Sequence, residues 1–324
     1  MSEQNKQHKS KIGGQALIEG VMMNGIHKGA MACRLPNGTI DVEVWDKKGT
    51  VAWYRKAPLI RGVFNFVISL KEGYRCLMKS AEKQMVEEDE ENKDSAENEG
   101  NAEKEQKKNE EKSESLSEKA MSVIMGIVMV LSLVVAVGLF VFLPKWIVNF
   151  FDFLTVNRFV RSFSEGIIKI LIFIGYLAFT TFMKDVRRTY EYHGAEHKTI
   201  ACFEAGLDLT VANVKKQVRF HPRCGTSFIF ITLFISILVM CLVPFDIVWQ
   251  RMLSGIVLLP IMVGISYELI RIAGRYDNPF TRILSAPGLW IQRITTKEPD
   301  EEEIECAIEA IKPCIPENIE EDIW

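Results

Sequence analysis

SVIMGIVMVLSLVVAVGLFVFL, residues 122–143, decides the fold: 22 consecutive residues without a charge. Crossing the hydrocarbon core of a bilayer takes about 20 predominantly apolar residues in a helix. Three further runs reach a comparable length, at 166–183, 226–243 and 247–267. The second carries Lys169 near its start. The fourth carries Arg251 near its start and Pro260 inside it, which predicts a kink that a membrane helix tolerates. The competing reading of each run is a helix buried in a soluble core.

The bulk composition hides this pattern. The chain has 324 residues, 48% hydrophobic and 25% charged, with net charge −3, close to an average soluble protein. Residues 84–119 distort the average, since they hold 14 Asp and Glu against 6 Lys. They cannot bury a core and are expected to be a disordered acidic linker. The near-neutral balance argues against a nucleic-acid partner, which calls for a basic face.

Basic residues set the orientation. Lys184, Arg187, Arg188, Lys198, Lys215, Lys216, Arg219 and Arg223 lie between the second and third runs, and Arg271, Arg275, Arg282 and Arg293 follow the fourth. The opposite side holds Lys145, Arg158 and Arg161, plus Arg251 at a helix end. The positive-inside rule then places both termini and the 184–225 loop in the cytoplasm of a bacterial cell, with the protein in its inner membrane. The first 120 residues are largely polar, so the first run is expected to be an internal span, not a signal peptide. The seven cysteines have no close spacing and are expected to stay reduced.

The expected fold is an α-helical polytopic membrane protein of about four transmembrane helices, with a cytosolic α+β portion that includes a small N-terminal β-hairpin region. Its parts are 1–83, a cytosolic β-rich segment plus an amphipathic helix; the linker 84–119; spans one and two, 120–183; the cytosolic loop 184–225; spans three and four, 226–268; and a cytosolic tail, 269–324. Asn37-Gly38 in LPNGTIDVEV, followed by alternation, is the hairpin signal. From Pro58 to about Lys83 the spacing is helical, compatible with a helix in the membrane interface or one packed on the cytosolic domain. Residues 299–312 predict a short docking helix with Ile304, Ile308 and Ile311 on one face.

The chemistry concentrates in YHGAEHKT, residues 192–199. His193, Glu196 and His197 spell HxxEH. On a helix, positions i and i+4 share a face, so both imidazoles reach one cation, and Glu196 lies beside them as a candidate general base. The plain alternative is two surface or capping histidines. FHPRCGTSF, residues 220–228, adds His221 and Cys224 just before the third span. If the second and third spans form a hairpin, the two clusters meet; otherwise Pro222 and Gly225 simply make a turn. Four ligands would close a structural site, whereas three would leave a catalytic position. Mixed His and Cys ligands point to Zn2+. Glu204, seven residues past His197, ranks as a supporting charge ahead of a ligand, because seven residues rise about 10 Å. Glu19, in a glycine-flanked segment, and Glu268, at the end of the fourth span, are further catalytic candidates. The alternatives are an exposed loop acid and an ion pair with Arg271 or Arg275. Arg61 and Gly62 are a weak anion-binding signal.

GGQALIEGVMMNG (13–25), YHGAEHKTI (192–200), FHPRCGTSF (220–228), ISYELIRIAGR (265–275) and PGLWIQRITTKEPDEEEIECAI (287–308) resemble the YqhQ-type family of bacterial membrane proteins. That family has no established reaction and is described generically as metal-dependent enzymes. The resemblance implies His193, Glu196, His197, His221, Cys224, Glu19 and Glu268 as its site residues. The expected function is metal-assisted hydrolysis of a membrane-associated peptide, protein or lipid. The rival is a non-catalytic scaffold or accessory factor of membrane-protein machinery, stapled by a structural metal.

Overall fold

A computed structural model of the protein describes residues 9–47, 57–94, 127–151, 153, 157–245, 247–276 and 278–322. The chain divides into two compact units, one of residues 1–87 with 174–324 and one of residues 88–173.

The N-terminal part of the first unit is a four-stranded antiparallel meander in the order β1-β2-β3-β4: β1 Gly13–Leu17, β2 Gly20–Asn24, β3 Lys28–Arg34 and β4 Ile40–Asp46. The predicted hairpin is its last pair. Gly38 takes φ +84°, and the Thr39 N–H is held by the Asn37 side chain at 2.8 Å. Strands β2 and β3 are apolar at nearly every position because both faces are covered, and the period-2 alternation divides their side chains. Val21, Met23, Ala30 and Ala32 face Tyr192, Ala195, Ile304 and Ile311. Leu17, Met22, Met31 and Cys33 face Cys76 and Leu77.

Helix α1, Ile60–Asp94, supplies that second cover. Its second half is stitched to β4 by Lys79–Glu43 at 2.5 Å and by Lys83 to Asp41 and Glu43. Helix α1 runs on past the expected start of the linker at 84, to Asp94. Glu, Gln and Lys favour helix, and a packed helix needs no new nucleus to continue. The rest of the expected linker, residues 95–119, lies outside the described residues.

Among the described residues, four helices are long and apolar enough to cross a membrane. Helix α2, Ile127–Phe150, contains a π-helical turn at Gly138–Phe142 and runs seven residues beyond the predicted end. Residues 122–126 lie outside the described set. Helix α3, Arg158–Thr180, starts eight residues early, with the Asn157 side chain accepting from the Val160 N–H at 2.8 Å. Helices α6, Gly225–Leu242, and α7, Val248–Arg275, pack on each other through Ile231, Ile235 and Met262, with Pro260 inside α7. Large apolar side chains such as Ile127, Leu131, Leu238 and Ile256 are exposed, as a lipid-facing surface requires.

Three more helices complete the first unit. Helix α4, Lys184–Glu204, and the short α5, Val211–Lys215, precede α6. Helix α8, Pro279–Thr295, carries an Asn278–Thr281 capping box and was not foreseen within the tail. Helix α9, Glu301–Ile311, is the predicted docking helix, with Ile304, Ile308 and Ile311 buried and the Cys306 thiol on the Ala32 carbonyl at 3.1 Å.

Helix α9 begins with a reciprocal capping box. The Glu303 N–H meets Asp300 Oδ1 at 2.8 Å, and the Asp300 N–H meets Glu303 Oε2 at 3.0 Å. The second Glu303 oxygen is buried without a hydrogen bond. Burial pushes the Glu303 carboxyl up to about 7 from the usual 4.5, against the Asp300 N–H, which holds it down. The folded state thus holds a proton that the unfolded chain releases, and stability falls as pH rises from about 4.5 to 7. Glutamine keeps the cap without that cost. Glu303→Gln is expected to gain about 2 kcal/mol at pH 8 and to lose the advantage by pH 5, read from thermal midpoints at the two pH values.

Candidate metal centre

The HxxEH stretch lies on α4, as its spacing requires, and the rings of His193 and His197 stand 4.4 Å apart between centroids. Their outer nitrogens are fixed by backbone. His193 Nδ1 lies 2.8 Å from the Thr295 carbonyl oxygen, and His197 Nδ1 lies 2.6 Å from that of Arg219. A carbonyl oxygen only accepts, so each Nδ1 carries a hydrogen, which leaves Nε2 as the nitrogen that can ligate once deprotonated. This is the support that orients histidine ligands at metal sites.

Cys224 completes a triad. Its Sγ lies 3.2 Å from His193 Nε2, and the ligand atoms of His193, His197 and Cys224 all fall within 4.8 Å of one another. Cys224 is the N-cap of α6, where its sulfur accepts the Thr226 N–H at 3.4 Å. Burial raises its thiol, but the two imidazoles and the hydrogen bonds prevail and hold it well below the ordinary thiol range. Burial pulls His193 down, and the Cys224 sulfur outweighs it, lifting the imidazole to about 9. Two imidazoles and a thiolate are the donor set of a thiophilic divalent cation.

Glu196 sits beside the triad and is buried at 4% exposure. It accepts the Gly14 N–H from strand β1, while its Oε2 has no hydrogen-bond partner among the described residues. Burial raises its carboxyl above the usual range, against the pull of His193 and His197. Only glycine fits at position 14, because a Cβ there would lie 2.6 Å from the Met22 carbonyl oxygen and 2.9 Å from Glu196 Cδ.

His221 stands apart from the triad. Its ring is 5.6 Å from that of His197, but its Nε2 points to Arg223 Nη2 at 3.0 Å and lies 3.8 Å from Glu204 Oε2. Glu204 also pairs with Arg223 and accepts the Ser10 N–H at 2.7 Å. Glu204 is thus a charge that ties three segments together, in keeping with its rank as a supporting group. The structure brings together three of the four expected ligands.

The other two carboxylates are engaged elsewhere. Glu19 occupies the β1–β2 turn at φ +49°, its carboxylate on Arg188 Nε at 2.5 Å and the Tyr192 hydroxyl at 3.2 Å. Glu268 is held by Arg61, with Nε at 2.7 Å, and by the Leu59 N–H at 3.3 Å. The ion pair foreseen for Glu268 exists, but with Arg61 in place of Arg271 or Arg275.

Sequence reasoning missed the frame around the site. Gln292 of α8 clamps the FHPRCG turn: its Oε1 accepts the His221 N–H at 2.8 Å, and its Nε2 donates to the His221 carbonyl at 2.7 Å and the Ser227 hydroxyl at 2.9 Å. Gly194, inside the motif, admits the Lys297 carbonyl so closely that a Cβ would lie 2.0 Å from it. The glycine in YHGAEH was the available signal. Gly194→Ala must push the 295–297 backbone away from α4 and break the His193–Thr295 bond. A loss of about 1–3 kcal/mol is expected, seen as a lower thermal midpoint.

With this geometry in hand, the comparisons place the chain. The model of a family described as "Protein of unknown function (DUF1385)" matches residues 57–317. The chain belongs to this family. It is 33% identical over 301 residues to the "Uncharacterized protein YqhQ" of Bacillus subtilis (strain 168), covering 92% of this chain and 90% of that protein. No solved structure matches it. The resemblance read from the motifs is thereby confirmed.

Proposed function

We propose that this protein is a zinc-dependent membrane hydrolase, peptidase-like in its HxxEH motif, working at the cytosolic surface of the bacterial cell membrane. The observation that carries the reading is Glu196 Oε2, a buried carboxylate oxygen without a partner beside three convergent ligands. Bound by His193, His197 and Cys224, zinc would supply Lewis-acid activation of water and of a scissile carbonyl. Glu196 takes up a proton at Oε2 and returns it to the leaving group. The Gly14 N–H holds the other oxygen and fixes the carboxylate's direction. Thr295 and Arg219 keep both imidazoles in the ligating tautomer. Because His221 turns to Arg223, a fourth position stays open. Catalytic roles for Glu19 and Glu268 gain no support from their ion pairs. The candidate substrates are membrane-associated peptides, proteins or lipids, with a bilayer and membrane proteins as the surroundings.

One observation favours a second reading, a structural metal in a membrane scaffold or accessory factor. His197, Cys224 and Glu196 are all nearly inaccessible to solvent. Cobalt loading separates the two. If the Co2+ absorption bands of the purified protein shift with added cyanide or azide, a ligand position is exchangeable and the hydrolase reading holds. A spectrum indifferent to both anions means a closed site and favours the scaffold.

A further inference from the structure

The first half of α1 is apolar where nothing in the fold requires it. Between residues 57 and 70 the only charged residue is Arg61, and Glu268 engages it. Yet Leu59, Ile60, Val67 and Leu70 are exposed, from 41% to 63%. A contiguous exposed apolar face of this kind marks a binding surface.

Its place in the fold identifies what covers it. The start of α1 packs on the two helices α6 and α7. A Cβ at Gly62 would lie 2.7 Å from Tyr267 Cβ, and one at Gly264 would lie 2.9 Å from the Leu59 carbonyl oxygen. The Asn65 amide donates to the Tyr267 hydroxyl at 2.8 Å, and the Phe66 ring lies 5.5 Å from that of Phe228. Gly264 and Tyr267 lie in the last turn of the fourth apolar run, 247–267, and Phe228 lies in the first turn of the third, 226–243. A helix that touches these residues from outside therefore lies at the membrane boundary, level with the lipid headgroups and upper acyl chains. Beyond Leu70 the character changes: Lys71 and Glu72 follow, the Glu72 carboxylate accepts from the Asn24 amide of β2 at 2.8 Å, and Lys79 and Lys83 turn to the sheet.

We propose that residues 57–70 form an interfacial helical segment, seated in the bilayer boundary beside the third and fourth spans and presenting its apolar face to lipid acyl chains. The rest of α1 leaves the membrane and carries the β-sheet, and with it Gly14, at the surface. This inference is independent of the metal centre and of any catalysis.

The full chain in phosphatidylethanolamine–phosphatidylglycerol vesicles tests it. Nitroxides are attached at Val67→Cys, Leu70→Cys and Glu82→Cys, with Leu238→Cys in the third span as depth control and the unsubstituted protein as background. Collision rates with oxygen and with a water-soluble nickel chelate are compared. The oxygen-to-nickel ratio at positions 67 and 70 is expected to exceed position 82 several-fold and to stay below position 238. A ratio equal to that at position 82 means water contact and overturns the proposal. Low collision with both reagents means a protein cover, such as a second copy of the chain, and overturns it too. A water-accessible position 238 overturns it together with the membrane topology.

Discussion

Glu196→Gln is expected to leave the fold and the bound metal intact and to abolish function. The amide has the shape of the carboxylate and still meets the Gly14 N–H, but it cannot take up a proton at the position of Oε2. General acid–base groups contribute about 10²–10⁴-fold to a rate, so a loss of that size follows from a change of one atom. Stability should hold or rise slightly, since a buried and unpaired acidic group is neutralised. The check is complementation of cells lacking the protein, with zinc content measured on the same variant. Full complementation by Glu196→Gln would contradict a catalytic role and leave the structural-metal reading.

Removing a ligand should have the other large effect. Mutating the partners that merely orient a metal ligand costs 10–100-fold in affinity, so His197→Ala, His193→Ala and Cys224→Ser are each expected to cost more than about 100-fold. The purified variants should hold less than about a tenth of the zinc of the parent protein. His221→Ala is the internal control, because its ring nitrogen serves Arg223 and Glu204; it should keep the metal. Zinc loss in His221→Ala would close the site with four ligands. Acid should release the metal in the parent protein, since imidazole and thiolate bind only when deprotonated.

Helices long and apolar enough to cross a bilayer are legible because bilayer thickness imposes length and polarity together, and four such helices stand where the apolar runs do among the described residues. Their ends are less so: α2 and α3 continue through Trp146 and Arg158, where capping and packing prevail over hydropathy. The Asn37-Gly38 hairpin and the Ile304–Ile311 face were readable from local chemistry. Helix α8 was not, because Pro287 and Gly288 interrupt its pattern, and Gly288 is there to admit Ser227: a Cβ would lie 2.4 Å from its hydroxyl. At the site, residue type and spacing placed His193, Glu196 and His197 on one helix. Nothing local separates Cys224, which joins them, from His221, which turns away. That choice is made by Arg223 and Gln292. The carbonyls of Thr295 and Arg219 leave no trace in residue identity. Arg61 and Glu268 meet across 207 residues, a pairing that charge alone could not select.

X-ray absorption at the zinc edge of the purified, membrane-reconstituted protein, with metal content by mass spectrometry, tests the central claim most directly. The predicted result is about one zinc per chain, with a shell of two nitrogens near 2.0 Å and one sulfur near 2.3 Å, plus one further light atom. Protein free of bound metal, or a metal shell made of oxygen without sulfur, would contradict it.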